Sequence, residues 1–345
     1  MDSLSQIALG AAVGVAVMGR KTVLWKAALM GAVVGTLPDL DVLISHGDPI
    51  RDMTLHRTES HALFYLTLVA PLFAWFIATI AREKHLFKHW WLAVWLVLVT
   101  HPLLDTMTIY GTQLALPFSD YPFGIGSVFI IDPLYTLPLL IGTVIALARK
   151  KFTGLRWNNI GLALSSGYLF WGLAMQFYVG TLADKAIAVQ GLAVEKRLVI
   201  ASPFNSLLWR IVAITPEGYA EGFYSLLDNN TQINFVEYPR GNDLYRQLGE
   251  SWEAERLAWF SHGYFKVFEN NGVISIADLR MGLEPYYTFT FAVAERSNSQ
   301  PNAPLDFITP QQAAPNINSE QSLQWLPQRL LGNTNQPLIE FLNKP

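Results

Sequence analysis

No cysteine occurs in this chain of 345 residues. That excludes disulfides and thiolate metal sites, and it says little about compartment. Charge is scarce too. Asp, Glu, Lys and Arg make up 15% of the residues and hydrophobic residues 51%, whereas soluble chains carry about 25% charged residues. This is the composition of a membrane protein. The net charge of −3 is too small to indicate a nucleic-acid or acidic partner. Gly-rich phosphate loops and nucleophile elbows are absent as well. The usual signal-peptide pattern is also missing: Asp2 stands where a basic region belongs, and Arg20 and Lys21 follow the apolar stretch. The first helix is therefore expected to be retained.

What is present is a series of apolar segments. Ala62–Ala81, Trp90–Ile109, Val128–Ala148 and Ile160–Val179 are long enough to span a bilayer, which takes about 20 helical residues. The shorter Ile7–Met18 and Val23–Leu37 precede them and carry Gly10, Gly14, Gly31 and Gly35. Small residues four apart let helix backbones approach closely, so this pair reads as a hairpin, spanning or half-inserted. Basic residues alternate between the loops: Arg20, Lys21 and Lys26; Arg82, Lys84 and Lys88; Arg149, Lys150, Lys151 and Arg156. Lys and Arg mark cytoplasmic loops. Six crossings would then place the N-terminus and everything after about residue 180 outside the cytoplasm.

Beyond that point the pattern changes. Leu207–Thr215, Gly218–Leu227, Tyr264–Glu269, Gly272–Ala277 and Tyr286–Ala294 read as strands, rich in aromatic and β-branched residues and bounded by turn signals. Asn270-Asn271-Gly272 reads as a hairpin turn. Asn242–Phe260 and Leu323–Leu331 read as helical, and Ser297 to Glu320 as a loop. The expected architecture is an all-α polytopic membrane bundle over residues 1–180, followed by a mainly antiparallel β or α+β extramembrane domain over residues 181–345.

Ionisable residues inside apolar segments are costly and mark function. Three pairs occur here: Asp39 and Asp41, His56 and His61, His101 and Asp105. The loop pattern puts all three on one side of the membrane. His101 and Asp105 are four apart on a helix, so both face one direction and can offer an imidazole and a carboxylate to one cation. Asp39 and Asp41 follow Pro38 in an extended turn that sends them opposite ways, one to a metal and the other to act as bridging ligand or general base. His56 and His61 suit a loop residue and a helix-start residue that converge. Between them, Arg57 can hold a phosphate or pair with Asp39 or Asp41, and Glu59 is a ligand, a general base or a solvated loop acid. Asp2 and Asp132 read as helix caps. Three His and three Asp suit zinc or manganese, with one or more ions, and such a site favours hydrolysis by metal-activated water.

The segments MDSLSQIALGAAVG, GTLPDLD, LHRTESH, HPLLDTMTIYGTQ and FIIDPLYTLPLL resemble, in that order, the YdjM-like family of bacterial inner-membrane proteins. That family is described as metal-dependent hydrolases and regarded as distantly related to zinc-dependent phospholipase C and the single-strand-specific zinc nucleases. The resemblance covers roughly residues 1–180, and PFNSLLWR, GYAEGFYSLLD and DLRMGLEPYY are similar to the extra C-terminal domain of one long subgroup. It implies that Asp2, Asp39, Asp41, His56, His61, His101 and Asp105 form the metal site. It also implies a metal-bound hydroxide attacking a phosphoester. The residues themselves offer Asp39, Asp41, Arg57 and Glu59 as catalytic candidates, and their place at the outer membrane surface suggests a lipid-linked or phosphoester substrate. The expected location is the inner membrane, multi-pass, with a periplasmic C-terminal domain and membrane lipid as a partner. The competing expectation is a metal-binding transport or sensing protein without hydrolase activity.

Overall fold

Small residues decide how the first helices meet. In the computed structural model, which describes residues 1–149, 151–296, 304–313 and 319–342, the chain forms α1 (Ser3–Met18), α2 (Leu24–Thr36), α3 (Pro49–Leu55), α4 (Leu63–Ile80), α5 (Phe87–Met107), α6 (Pro133–Ala148) and α7 (Lys151–Gln190). A Cβ built on Gly31 would stand 2.0 Å from the Gly10 carbonyl oxygen, and one on Gly14 would stand 2.4 Å from that of Ala27. The backbones of α1 and α2 touch, and only glycine permits it. Contacts divide the chain into two units. The first holds Met1–Ile44, Arg57–Ala174 and Pro203–Asn205; the second holds Ser45–His56, Met175–Ser202 and Ser206–Pro345.

In the first unit, α4 presents Ala70, Ala74 and Ala78 to the protein and leaves Phe64, Leu68, Leu72, Trp75, Phe76 and Ile80 exposed. An exposed apolar face of that extent fits lipid rather than water. Among the described residues, three stretches are long and apolar enough to cross a membrane: Leu63–Ile80, Lys84–Met107 and Thr153–Gln190. Helices α1, α2 and α6 are shorter, with 16, 13 and 16 residues. A helix of 13 residues reaches about 20 Å, short of a hydrocarbon core of about 30 Å. Three of the six expected crossings therefore have helices long enough to make them unaided. Helix α6 starts at Pro133, later than Val128, because the residue before a proline is pushed out of the helical region; Asp132 caps it by accepting from the Leu134 amide at 3.0 Å. Helix α7 runs on past Val179 to Gln190, so residue 180 lies inside a helix. Lys150, one of the basic loop residues, lies outside the described residues.

The second unit contains β1 (Lys196–Ala201), β2 (Leu208–Ile214), β3 (Gly218–Ser225), β4 (Phe235–Pro239), α8 (Asn242–Leu248), α9 (Trp252–Phe260), β5 (Phe265–Asn270), β6 (Val273–Asp278), β7 (Gly282–Leu283), β8 (Tyr286–Tyr287), β9 (Thr290–Arg296), β10 (Leu305–Gln312), α10 (Ser319–Leu330) and α11 (Leu338–Leu342). Two antiparallel sheets, ordered β1-β2-β3-β4 and β10-β9-β6-β5, share a core of Val212, Ile214, Tyr219, Ala277, Leu279 and Tyr287. Against that core lies a buried ion pair, Arg210 with Glu221, the arginine also donating to the Leu279 carbonyl at 2.6 Å. The expected turn is there: Asn271 and Gly272 carry φ of 51° and 80° between paired Asn270 and Val273, as a two-residue hairpin needs. The single helix expected over Asn242–Phe260 is instead two helices, parted at Gly249 with φ of 60°. Leu305–Gln312, expected as loop, is strand β10; residues 297–303 and 314–318 of that expected loop lie outside the described residues.

Candidate metal centre

The centre is assembled from one turn after α2, one turn before α4 and one face of α5. Pro38 has no N–H to continue α2, and the last bond before it already tightens to i−3, Leu37 N–H to the Val34 carbonyl at 3.2 Å. The chain goes on as a 3₁₀ turn, Pro38–Leu43, instead of the expected extended turn. A second 3₁₀ turn, Glu59–His61, presents His61. His101 and Asp105 lie one turn apart on α5, both buried.

These elements bring four side chains together: Asp39, His61, His101 and Asp105, with one ligand atom each within 4.8 Å of all the others. His61 Nε2 and His101 Nε2 are 3.2 Å apart. Asp39 Oδ1 stands 3.4 Å from His61 Nε2 and 3.3 Å from His101 Nε2. Asp105 Oδ2 stands 3.4 and 3.3 Å from the same two atoms. Four donors bound at 2.0–2.1 Å around a tetrahedral ion are separated by about 3.3 Å, so the observed spacings fit a zinc-type site.

The hydrogen bonds behind the donors agree. His101 Nδ1 lies 2.6 Å from the Gly35 carbonyl, an acceptor only, so Nδ1 carries the proton and Nε2 faces the cluster with its lone pair. His61 is held from behind by Ser60 Oγ at 2.8 Å and Asp41 Oδ2 at 3.4 Å. Such outer partners fix the tautomer of a metal-binding histidine. Asp105 divides its carboxylate. Oδ1 pairs with the Met1 amino group, accepts from Gln6 Nε2 at 3.1 Å and stands 3.4 Å from Arg57 Nη2. Oδ2 is buried without a hydrogen-bond donor among the described residues. A buried acceptor left unsatisfied is rare and calls for an ion or water.

The electrostatics also ask for a cation. Burial alone would lower the pKa of the His61 imidazole, but the carboxylates of Asp105, Asp39 and Asp41, each 3.4 Å from a ring nitrogen, outweigh it and push the pKa up to about 9. Burial alone would raise Asp39, yet His101 and His61 hold its carboxyl well below the usual carboxylate range. Three carboxylates around two imidazoles make a site that holds positive charge, whether proton or metal.

The remaining predicted residues fall outside that four-residue group. Asp2 is the N-cap of α1, accepting from the Leu4 and Ser5 amides. Asp41 accepts from Ser60 Oγ at 2.5 Å and from the Arg57 amide at 3.0 Å, so it supports His61. Glu59 is exposed at the start of its turn. His56 belongs to the second unit, as the C-cap of α3. The Arg57 guanidinium stands 3.4 Å from Asp105, and the Arg57 backbone amide is what meets the Asp41 carboxylate. The sequence reading missed Ser60, the Gly35 carbonyl and Tyr110, whose ring lies 4.8 Å from the Arg57 guanidinium. Ser60 could have been found, because it adjoins His61 in a motif already singled out.

A family model described as YdjM inner membrane protein matches residues 1–180. The chain belongs to the YdjM family. Every member of the four-residue group lies inside the matched YdjM region. The chain is also 24% identical over 310 residues to the uncharacterized protein YfhP of Bacillus subtilis (strain 168), covering 85% of this chain and 90% of that protein. That relative extends beyond the YdjM region into the second unit. No solved structure matches.

Proposed function

We propose that this protein is a membrane-bound metal-dependent hydrolase whose centre is Asp39, His61, His101 and Asp105. The observation that carries the reading is the spacing of the four donor atoms, with two imidazoles whose far nitrogens are already engaged. A divalent ion held there, zinc before manganese on the tetrahedral spacing, supplies Lewis acidity and a water acidic enough to act at neutral pH. The chain's own residues do the rest. Asp41 and Ser60 orient His61, and the Gly35 carbonyl orients His101. Asp39 is the most exposed of the four, its side chain 21% accessible, so water and substrate approach past it. Its second oxygen, or Glu59 on the exposed turn, takes the proton from the attacking water. The bond cut is an ester or phosphoester, and the neighbouring lipid makes a lipid-linked substrate the first class to assay. The centre faces the periplasm in this reading, because the basic loops lie at the other ends of the helices.

The test is to purify the full chain in detergent, measure bound metal, and assay lipid and nucleotide esters and phosphoesters with wild type, His101→Ala and Asp105→Ala. The expected result is one or more ions per chain and a turnover that both variants abolish. Stoichiometric metal without turnover of any ester would replace the hydrolase with a metal-binding transport or sensing protein. Absence of metal after zinc or manganese is added would refute the centre itself. For orientation, a reporter fused after residue 150 should be cytoplasmic and one after residue 190 periplasmic; the reverse pattern refutes the periplasmic placement.

A further inference from the structure

Arg57 has features that supporting the metal centre does not explain. Its backbone sits at φ 65°, a left-handed conformation that costs a non-glycine residue about 1–2 kcal/mol. That conformation is bolted in place from both sides. The Arg57 amide donates to Asp41 Oδ2 at 3.0 Å, and the Arg57 carbonyl accepts from the Gln113 amide at 3.0 Å. The residue is 3% exposed, and its guanidinium lies over the Tyr110 ring. Yet Nε and Nη1 have no hydrogen-bond partner among the described residues. Buried donors are nearly always satisfied, and leaving them unpaired is costly.

A role as counter-ion to Asp105 does not account for this. Its contact with Asp105 is 3.4 Å, longer than the roughly 2.7–2.9 Å of a charge-assisted hydrogen bond. Oδ1 of Asp105 is already served by Gln6 and the Met1 amino group. Backbone strain clusters at active sites and ligand clamps, and buried donors left unspent call for a partner. A planar guanidinium suits a tetrahedral oxyanion, whose several oxygens can each take an N–H.

We infer that Arg57 is the anion-binding residue of this centre, and that its substrates present a phosphate group to Nε and Nη1 while the metal ligands hold the reacting end. The inference rests on the hydrolase reading only for the word substrate; the anion site stands on the arginine. Phosphate is the shared chemistry of a lipid headgroup and of a free phosphate, and the test separates them.

The experiment uses the full chain in detergent, loaded with zinc. Binding of inorganic phosphate, dihexanoyl phosphatidic acid and uncharged dihexanoyl glycerol is measured by calorimetry for wild type, Arg57→Gln and Arg57→Lys, with bound zinc quantified in each. Wild type should bind inorganic phosphate, and bind the phosphatidic acid more tightly if the natural source is a lipid. Arg57→Gln should keep its zinc and lose about 10- to 100-fold in phosphate affinity, as expected for a hydrogen bond to a charged group. Dihexanoyl glycerol should not compete. The inference is overturned if wild type binds no phosphate, or if Arg57→Gln with full zinc binds it within twofold of wild type. Should Arg57→Gln fail to fold or to load zinc, Arg57→Lys decides. It keeps the charge but loses the fork, so weakened phosphate binding with full zinc supports the inference and unchanged binding overturns it. Phosphate binding through Arg57 without hydrolysis of any ester would sink the hydrolase and leave the anion site. Hydrolysis of carboxylic esters with no phosphate binding would do the opposite.

Discussion

Replacing Gly31 by alanine tests whether the helix contact and the metal centre are one construction. The added Cβ would lie 2.0 Å from the Gly10 carbonyl oxygen and 2.7 Å from its carbon, whereas ordinary contact begins at 3.4 Å. Both atoms are backbone, so no rotamer change relieves the clash, and α1 and α2 must part by about 1.4 Å. Overpacking of this kind costs about 1–3 kcal/mol. One turn further along α2 is Gly35, whose carbonyl accepts from His101 Nδ1 at 2.6 Å, and four residues beyond that is Asp39. A shift of more than 1 Å there breaks the His101 bond and withdraws one donor. Loss of such an outer contact typically lowers metal affinity about 10- to 100-fold. The assay is a zinc titration against a competing chelator, together with thermal unfolding in detergent. Gly167→Ala is the control, because nothing stands within 4 Å of a Cβ there. If Gly31→Ala unfolds at the wild-type temperature and binds zinc with wild-type affinity, the coupling between helix contact and centre is refuted.

Two further outcomes follow from groups already described. His61 has a folded pKa raised from 6.5 to about 9, so its contribution to stability is complete below pH 6.5 and is lost as pH rises through about 9. The metal-free protein should therefore melt at falling temperatures between those pH values, while the zinc-loaded protein, in which the ion replaces the proton, should not; a flat melting profile for the metal-free form would count against the arrangement around His61. In the second unit, Glu221→Gln leaves Arg210 buried with its partner charge removed, which should cost about 3–5 kcal/mol; an unfolding midpoint within the error of wild type would refute the importance of that pair.

The parts of the fold that could be read in advance are those with a local physical signal. The His101–Asp105 spacing needs only a helix to become one face, and the Asn271-Gly272 turn needs only two residues able to adopt positive φ. The strands that escaped notice, β1, β4, β10 and the two-residue β7, are all edge strands of their sheets. An edge strand bonds on one side and faces solvent on the other, so it tolerates charges, proline and glutamine that blur the pattern; KRLVIA, FVEYP and LDFITPQQ do so. Helix α7 outran its apolar stretch because TLADKAIAVQ, with Asp184 and Lys185 breaking the apolar run, is still helix-compatible. At the centre, the chemistry-bearing pairs were legible but their division of labour was not. Whether Asp39 or Asp41 reaches the cluster depends on a 3₁₀ turn, which turns residues two apart to different sides, and composition does not announce it. Arg57 was legible as an anion-binding candidate, but only its burial and its unspent donors separate that role from a salt bridge to Asp39 or Asp41.

The four donors come from distant parts of the chain: the turn after α2, the turn before α4 and two positions on α5. An ion bound to all of them is a cross-link as much as a reagent. In lipid, helices have little hydrophobic reason to associate, and a tie across long loops removes freedom that packing alone must otherwise overcome. During synthesis the residues at 39 and 61 are made well before those at 101 and 105, so the ion can be captured fully only once α5 is in place. On the proposed reading, loading is then a late step in the biogenesis of this half of the protein, and chain made without the metal is expected to hold α2 to α5 by packing alone.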